Sequence, residues 1–444
     1  MLFWSSLNNI LSIISKYFLK GNTADIQGGV FLIFLIGIVE VNNSTFVNNT
    51  SQEGGIVSML ENAYTTLKIK FCLFENNSAE INLFSLDNSQ IDLSHSIFQN
   101  NFNNMFDLVQ SNLSVYNLSI MQHQCNSEVS GCLINGEANS MISIDSSIFF
   151  NISSLVEGNV CLMNSELFIT NSMYKNIFSE EKEEVFITAE SSYLSLNNTE
   201  FINFDFNYIF LETSQLFIEK CFFSGNTEYS LPTTTYGTIY CMSCLSFEIN
   251  ESYLIGQNYV MEGAAIYLIQ NNESMQTDFL IKDSVFENNS VYDNGGAISL
   301  SYVNVSLSNC SFINNGATNG GAIYFASSSI YTYLILTNNS FISNWALQDG
   351  GAIKWTFCEP YYFGFNNFTS NVAIYGKDVA SFPIRMELKI FGEDGSNVFD
   401  QTNSSDFPTL QNLVSGQNIN YTFTLDFFDL YNNPVLTIDT NGYP

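Results

Sequence analysis

Few side chains in this sequence could carry acid–base or metal chemistry. The only histidines are His95 and His123, and the only arginine is Arg385. A polysaccharide lyase needs a strong base, usually Arg or Lys, beside calcium-held carboxylates. A glycosidase needs two carboxyl groups at a set gap on neighbouring elements. No Asp-Asp pair, no Gly-His-Gly and no nucleophile-and-base constellation is present. Cys241-Met-Ser-Cys244 is a lone Cys-x-x-Cys, whereas a zinc site needs a second pair or two histidines. Cys125 and Cys132 lie on one loop within bridging reach, and an odd total of nine cysteines leaves at least one outside any intrachain pair. Glu180-Glu181-Lys182-Glu183-Glu184 lacks calcium-loop spacing and reads as a solvated loop. Neither a catalytic set nor a metal or cofactor is expected.

The scaffold is far more legible. Of 444 residues, 46% are hydrophobic and 15% aromatic, with 40 Phe and 23 Tyr, so a large core is available and disorder is excluded. Only 12% are charged, and 43 acidic against 12 basic residues give a net charge of −31. Nucleic acid is excluded as a partner, because phosphate binding needs clustered Lys and Arg. Anionic lipid is disfavoured for the same reason.

An aromatic anchor returns along the chain. It stands at Phe18, Phe46, Phe74, Phe98, Ile120, Phe149, Tyr174, Phe201, Phe223, Leu254, Phe286, Phe312, Phe341 and Phe368. The mean interval is about 27 residues. Seven and five positions before every anchor the residue is apolar, from Leu11 and Ile13 to Tyr361 and Phe363, and the residue between is often polar. That alternation is a strand with one buried face. A unit this short has no core of its own, so successive turns must stack and bury equivalent positions in columns. The predicted fold is all-β: a right-handed parallel β-helix of about 14 coils over 1–381.

Three further columns follow. Two residues before the anchor comes a small side chain in most coils, such as Ser44, Cys72, Ser96, Cys221 and Cys310, where the chain bends. Two or three residues after it comes Asn, which tolerates left-handed backbone and can stack in amide ladders. Gly-Gly pairs, as at Gly295-Gly296 and Gly320-Gly321, suit a corner with positive φ.

Phe-x-Asn-Asn followed by Gly-Gly-Ala-Ile, as in 286–300, 312–325 and 341–355, resembles the repeat of polymorphic outer-membrane proteins and of related pectin-lyase-like surface proteins of protists. The resemblance covers about residues 1–380 and weakens between 98 and 260. It implies a right-handed β-helix, secretion, and a surface or adhesive role, and it brings no catalytic residues. The C-terminal membrane barrel of the bacterial members is not seen.

Val30–Val39 is too short to span a bilayer and falls on a coil strand, so it reads as core. No clean signal peptide is read before the first coil. From about 383 the pattern changes, and 382–444 resembles the opening of an immunoglobulin-like β-sandwich too short to complete one. Both ends therefore read as cut from a longer chain. Sequons for N-glycosylation recur, among them Asn43, Asn76, Asn151, Asn288, Asn309, Asn338 and Asn420. The outward position six before the anchor is polar in the first coils. Later it carries Phe168, Phe217, Leu280, Ile335 and Tyr362, a stripe that marks either a contact surface or a face covered by the chain's own loops. The reading is a non-enzymatic extracellular or cell-surface protein with a structural or adhesive role. Its expected partner is a protein or glycan at a cell surface, and it meets membrane only through a segment absent from this chain. The alternative is a carbohydrate-active enzyme.

Overall fold

The computed structural model describes residues 2–4, 10–27, 29–33, 37–59, 65–125, 132–154, 159–179, 185–204, 207–225, 237–259, 261–270, 278–327, 332–392, 396–400 and 421–435. The described structure is all-β, without a helix, and its main body is a parallel β-helix. One wall is a 14-stranded parallel sheet, running from Ile10–Ser15 to Tyr361–Phe363. The strands carrying the anchors and the Gly-Gly strands belong to a second, 32-stranded sheet. A four-stranded sheet adds a third wall over the later coils. The helix has about 11 turns, slightly fewer than the expected 14.

The anchor column is real. Phe46, Phe74 and Phe98 are aligned across adjacent strands. So are Phe286, Phe312, Phe341 and Phe368, with ring centroids 4.9, 4.9 and 4.8 Å apart and planes within 7°. Each buried ring contributes roughly 2–3 kcal/mol by area, and stacking adds a little more. Most buried apolar side chains of the helix form one continuous core from Val30 to Trp355, and Ala264, Val291 and Ala317 form a small separate cluster.

Two register expectations are corrected. In the first coil Leu19, not Phe18, is aligned with Phe46, and Phe18 is 66% exposed. The strand before it shifts likewise, pairing Leu11 with Ile38 and Ser12 with Val39. A period of two makes a one-residue slip exchange inside for outside. In the last coil Tyr361 pairs with Ile335 and Tyr362 with Leu336, while Phe368 still pairs with Phe341. One extra residue thus intervenes, and Tyr362 moves from the outward column to the inward one. Of the run Val30–Val39, Val30 to Ile33 and Val39 are buried on a coil as core, Ile38 is 38% exposed, and 34–36 lie outside the described residues.

The corners show why these residues recur. Three positions before each anchor from Phe46 to Phe341 the backbone is left-handed, with φ between 47° and 56° from Asn43 to Asn338. In the last coil, with its extra residue, the left-handed position is Gly364 (62°), four before Phe368. The small residue that follows does more than allow a bend. Ser96 Oγ accepts from the Cys72 backbone N–H at 3.1 Å, and Ser284 Oγ accepts from that of Ser252 at 3.1 Å. The hydroxyl column satisfies corner N–H groups that no strand reaches. In the Gly-Gly pairs the first residue supplies positive φ, as at Gly320 (65°). The second permits contact between turns: a Cβ on Gly321 would lie 2.2 Å from the Gly351 carbonyl oxygen.

Beyond the helix, Arg385–Gly392 pairs antiparallel with Asn397–Asp400 and Tyr421–Phe428. These strands form one three-stranded sheet. Its Tyr431 hydroxyl accepts from Trp355 Nε1 at 3.0 Å and donates to Glu359 at 3.0 Å, tying the segment to the last full coils.

Candidate functional site

Inside the helix, three residues after the anchor, runs an amide ladder. Asn22, Asn49, Asn77 and Asn101 form its first run. Gln257, Asn289, Asn315, Asn344 and Asn371 form the second. Between them the column holds His123, Ile152, Ile177 and Phe204, and its next position, Asn226, lies outside the described residues. The isoleucines and phenylalanine there replace side-chain donor and acceptor together. His123 is the mismatch, lying beyond Asn101 and next to Ile152. It is 1% exposed, and its ring nitrogens find no hydrogen-bond partner among the described residues.

Burial pushes the His123 imidazole down to about 4, against slight support from the Asn103 backbone. The unfolded chain takes up this proton near pH 6.5, and the folded chain resists until about pH 4. Stability is therefore complete above the unfolded value and is lost as pH falls through that window. Relative to His123→Asn, the native chain should lose about 3 kcal/mol between pH 7 and pH 4. Urea unfolding of both chains at several pH values measures it, and parallel curves would refute it.

His123 lies beside Cys125 and Cys132, with their ligand atoms within 4.8 Å of one another. The two sulfurs are joined in a disulfide, so no thiolate pair is presented to a metal. Cys241 and Cys244, read from sequence as a lone Cys-x-x-Cys, are also bridged. Cys72, Cys221 and Cys310 fill the small-residue column as thiols, and burial pushes the latter two up to about 12. They are interior fill without nucleophilic character.

Among the described residues, Glu53, Asp107 and Glu137 come together. Asn82 donates to Asp107 at 3.1 Å, Asn135 donates to it at 2.9 Å, and Ser85 donates to Glu53 at 3.1 Å. Burial first, then the charge of Glu137 and Glu53, raises the Asp107 carboxyl, and the amide donors oppose the rise. The run 180–184 lies outside the described residues. Lys354, Asp349 and Tyr375 form a second polar cluster, buried in the last coils, that sequence reasoning missed.

The outward column of the 14-stranded sheet aligns Phe168, Ser195, Phe217, Glu248, Leu280, Ser306, Ile335 and Tyr361. Phe168, Phe217, Leu280 and Ile335 are half-buried, and the Tyr193 ring lies 5.5 Å from that of Phe168. At the last coil the patch widens through Tyr361, Phe363 and Phe365, which are 57%, 54% and 77% exposed. Tyr362, expected on this face, falls instead in the inward register opposite Leu336, beside Tyr431, and is 37% exposed at the end of that column. Among the sequons, Asn43, Asn288, Asn309 and Asn338 are exposed on left-handed corners, and Asn76 and Asn151 are half-buried on such corners. Asn420 lies outside the described residues. No described helix is long and apolar enough to cross a membrane.

No family model matches the chain, and no solved structure matches it. It is similar to a transmembrane domain-containing protein of Dictyostelium discoideum, 24% identical over 421 residues. The match covers 86% of this chain and 24% of that protein, so the chain spans about a quarter of its relative's length.

Proposed function

We propose that this chain is a β-helical portion of an extracellular or cell-surface protein, with a structural and adhesive role and a protein or glycan as partner. The observation that carries this reading is the apolar outward column of the 14-stranded sheet, broadening to Tyr361, Phe363 and Phe365 on the last coil. A sheet face bathed on all sides by water gains nothing from such residues, and a contact surface does. Exposed sequon corners support passage through a secretory route, and the transmembrane domain in the name of the Dictyostelium relative supports a link to membrane outside this chain. The β-helix then acts as a stiff spacer, because each turn is held by its neighbours alone.

Phe217→Asp and Leu280→Asp test the contact surface. Adhesion of beads coated with the chain to cells should fall about tenfold for each, as loss of an apolar anchor does, with the circular dichroism spectrum unchanged. Unchanged adhesion would sink the reading. Unfolding of both variants would instead make the column buried structure.

A further inference from the structure

The corner after the anchor column carries Asn76, Asn100, Gln122 and Asn151 in one left-handed row, with φ of 52°, 52°, 54° and 55°. Two residues later a second row aligns Phe102 with Gln124, Gln124 with Ser153, and Ser153 with Phe178. These eight residues and Ile152 line a groove of about 510 Å³. Further along the first row the amides bond each other: Asn203 donates to Asn176 at 2.7 Å and Asn176 donates to Asn151 at 3.1 Å. Within the groove, the side-chain amides of Asn76, Asn100, Gln122 and Gln124 make no hydrogen bond among the described residues. Phe102 and Phe178, each 37% exposed, stand at its two ends. Three strand spacings separate them, roughly 14 Å.

We propose that this groove binds a short neutral oligosaccharide. Each amide offers two donors and an acceptor, and a sugar hydroxyl both donates and accepts, so the two match in any sequence along the chain. The phenyl rings at the ends give the apolar faces of sugar rings a surface to lie on. Among the described residues no lysine, arginine, aspartate or glutamate lines the groove, and the chain carries −31 overall, so sulfated, phosphorylated or uronate chains are repelled without compensation. The site is separate from the outward apolar column and does not depend on the adhesive reading.

Titration calorimetry of the intact chain with cellotriose, maltotriose and chitotriose tests it, with trigalacturonate as the charged probe. At least one neutral trisaccharide should bind with a Kd on the order of 0.1–1 mM. Phe102→Ala and Phe178→Ala should each weaken that binding by about tenfold. Gln124→Ala, at an exposed position that folding does not need, should weaken it several-fold. Phe217→Asp should leave it unchanged, which separates failure here from failure of the contact surface. No binding by any neutral sugar, equal affinity in all three groove variants, or tighter binding of trigalacturonate would overturn the proposal. A glycan found by mass spectrometry on Asn76 or Asn151 would overturn it too, since the groove would be filled from its own chain.

Discussion

Asn315→Leu should destabilise the C-terminal coils by roughly 3–6 kcal/mol, the loss expected for three buried polar groups left without partners. The side chain of Asn315 is held on both sides. Its Oδ1 accepts from the Asn289 backbone N–H at 3.1 Å and from Asn289 Nδ2 at 3.0 Å. Its Nδ2 donates to the Phe286 carbonyl at 3.0 Å and to Asn344 Oδ1 at 3.0 Å. Leucine fits the volume and orphans the Asn289 N–H, one amide hydrogen of Asn289 and the Phe286 carbonyl. Asn315→Asp provides a second arm. It keeps Oδ1 and turns Nδ2 into an acceptor aimed at two acceptors, so its carboxyl would be held well above the usual range. A raised carboxyl favours the folded state below its unfolded value, and that support is lost as pH rises through the folded one. Asn315→Asp should therefore recover stability on acidification, and Asn315→Leu should not. Asn314→Ala is the control. Asn314 is the exposed left-handed neighbour (φ 53°), so its loss costs only backbone strain. Hydrogen exchange across residues 286–371 reads all three. Equal protection in Asn315→Leu and Asn314→Ala would refute the account.

The same ladder shows how far a sequence of this kind speaks. The anchor column and the strand alternation were legible because burial repeats a residue type at a fixed phase, and most of the anchors are Phe. The recurrence of Asn was legible too, and its two roles were not separable. Asn76 and Asn77 are adjacent and identical, and one holds a left-handed corner while the other is fully buried in the ladder. Only the phase of the fold tells them apart. Phase also explains the two misplaced ends. Phe18 and Leu19 are both apolar, as are Tyr361, Tyr362 and Phe363, so composition cannot choose between registers one residue apart. His123 was invisible as a ladder position because its chemistry differs from that of the residues it replaces. The outward column was legible as a pattern, since apolar residues appear where the period demands polar ones. The groove was not, because Asn and Gln at a corner look the same whether they bond a neighbour or face solvent.

Lys354→Met should cost roughly 3–5 kcal/mol, the loss expected when one partner of a buried ion pair is removed. Lys354 and Asp349 are each 7% exposed. The Lys354 ammonium donates to Asp349 Oδ2, to Tyr375 Oη at 2.9 Å and to the Ser381 carbonyl at 3.0 Å. The Tyr375 hydroxyl donates to the same carboxylate oxygen, and burial with that negative charge beside it raises the phenol far above its ordinary value. Four groups thus converge where the last coils meet the segment leading into the antiparallel sheet. Ser381 passes the connection on, because its backbone N–H donates to Asp429 at 3.2 Å and its Oγ accepts from the Leu430 N–H at 3.0 Å. Methionine matches the lysine stem and leaves the Asp349 charge buried with one remaining donor from the cluster. The double variant Lys354→Met, Asp349→Leu removes both charges and should recover at least half of the loss, since an apolar pair of similar volume often replaces a buried ion pair at little cost. A solenoid transmits such damage poorly, so the loss should be local. Hydrogen exchange should rise over 345–381 and stay unchanged at the Phe74 and Phe98 strands. If the double variant is as unstable as the single one, stability at this junction comes from the shape of the lysine stem and not from its charge. If protection falls evenly along the whole helix, the coils are coupled far more tightly than nearest-neighbour stacking allows.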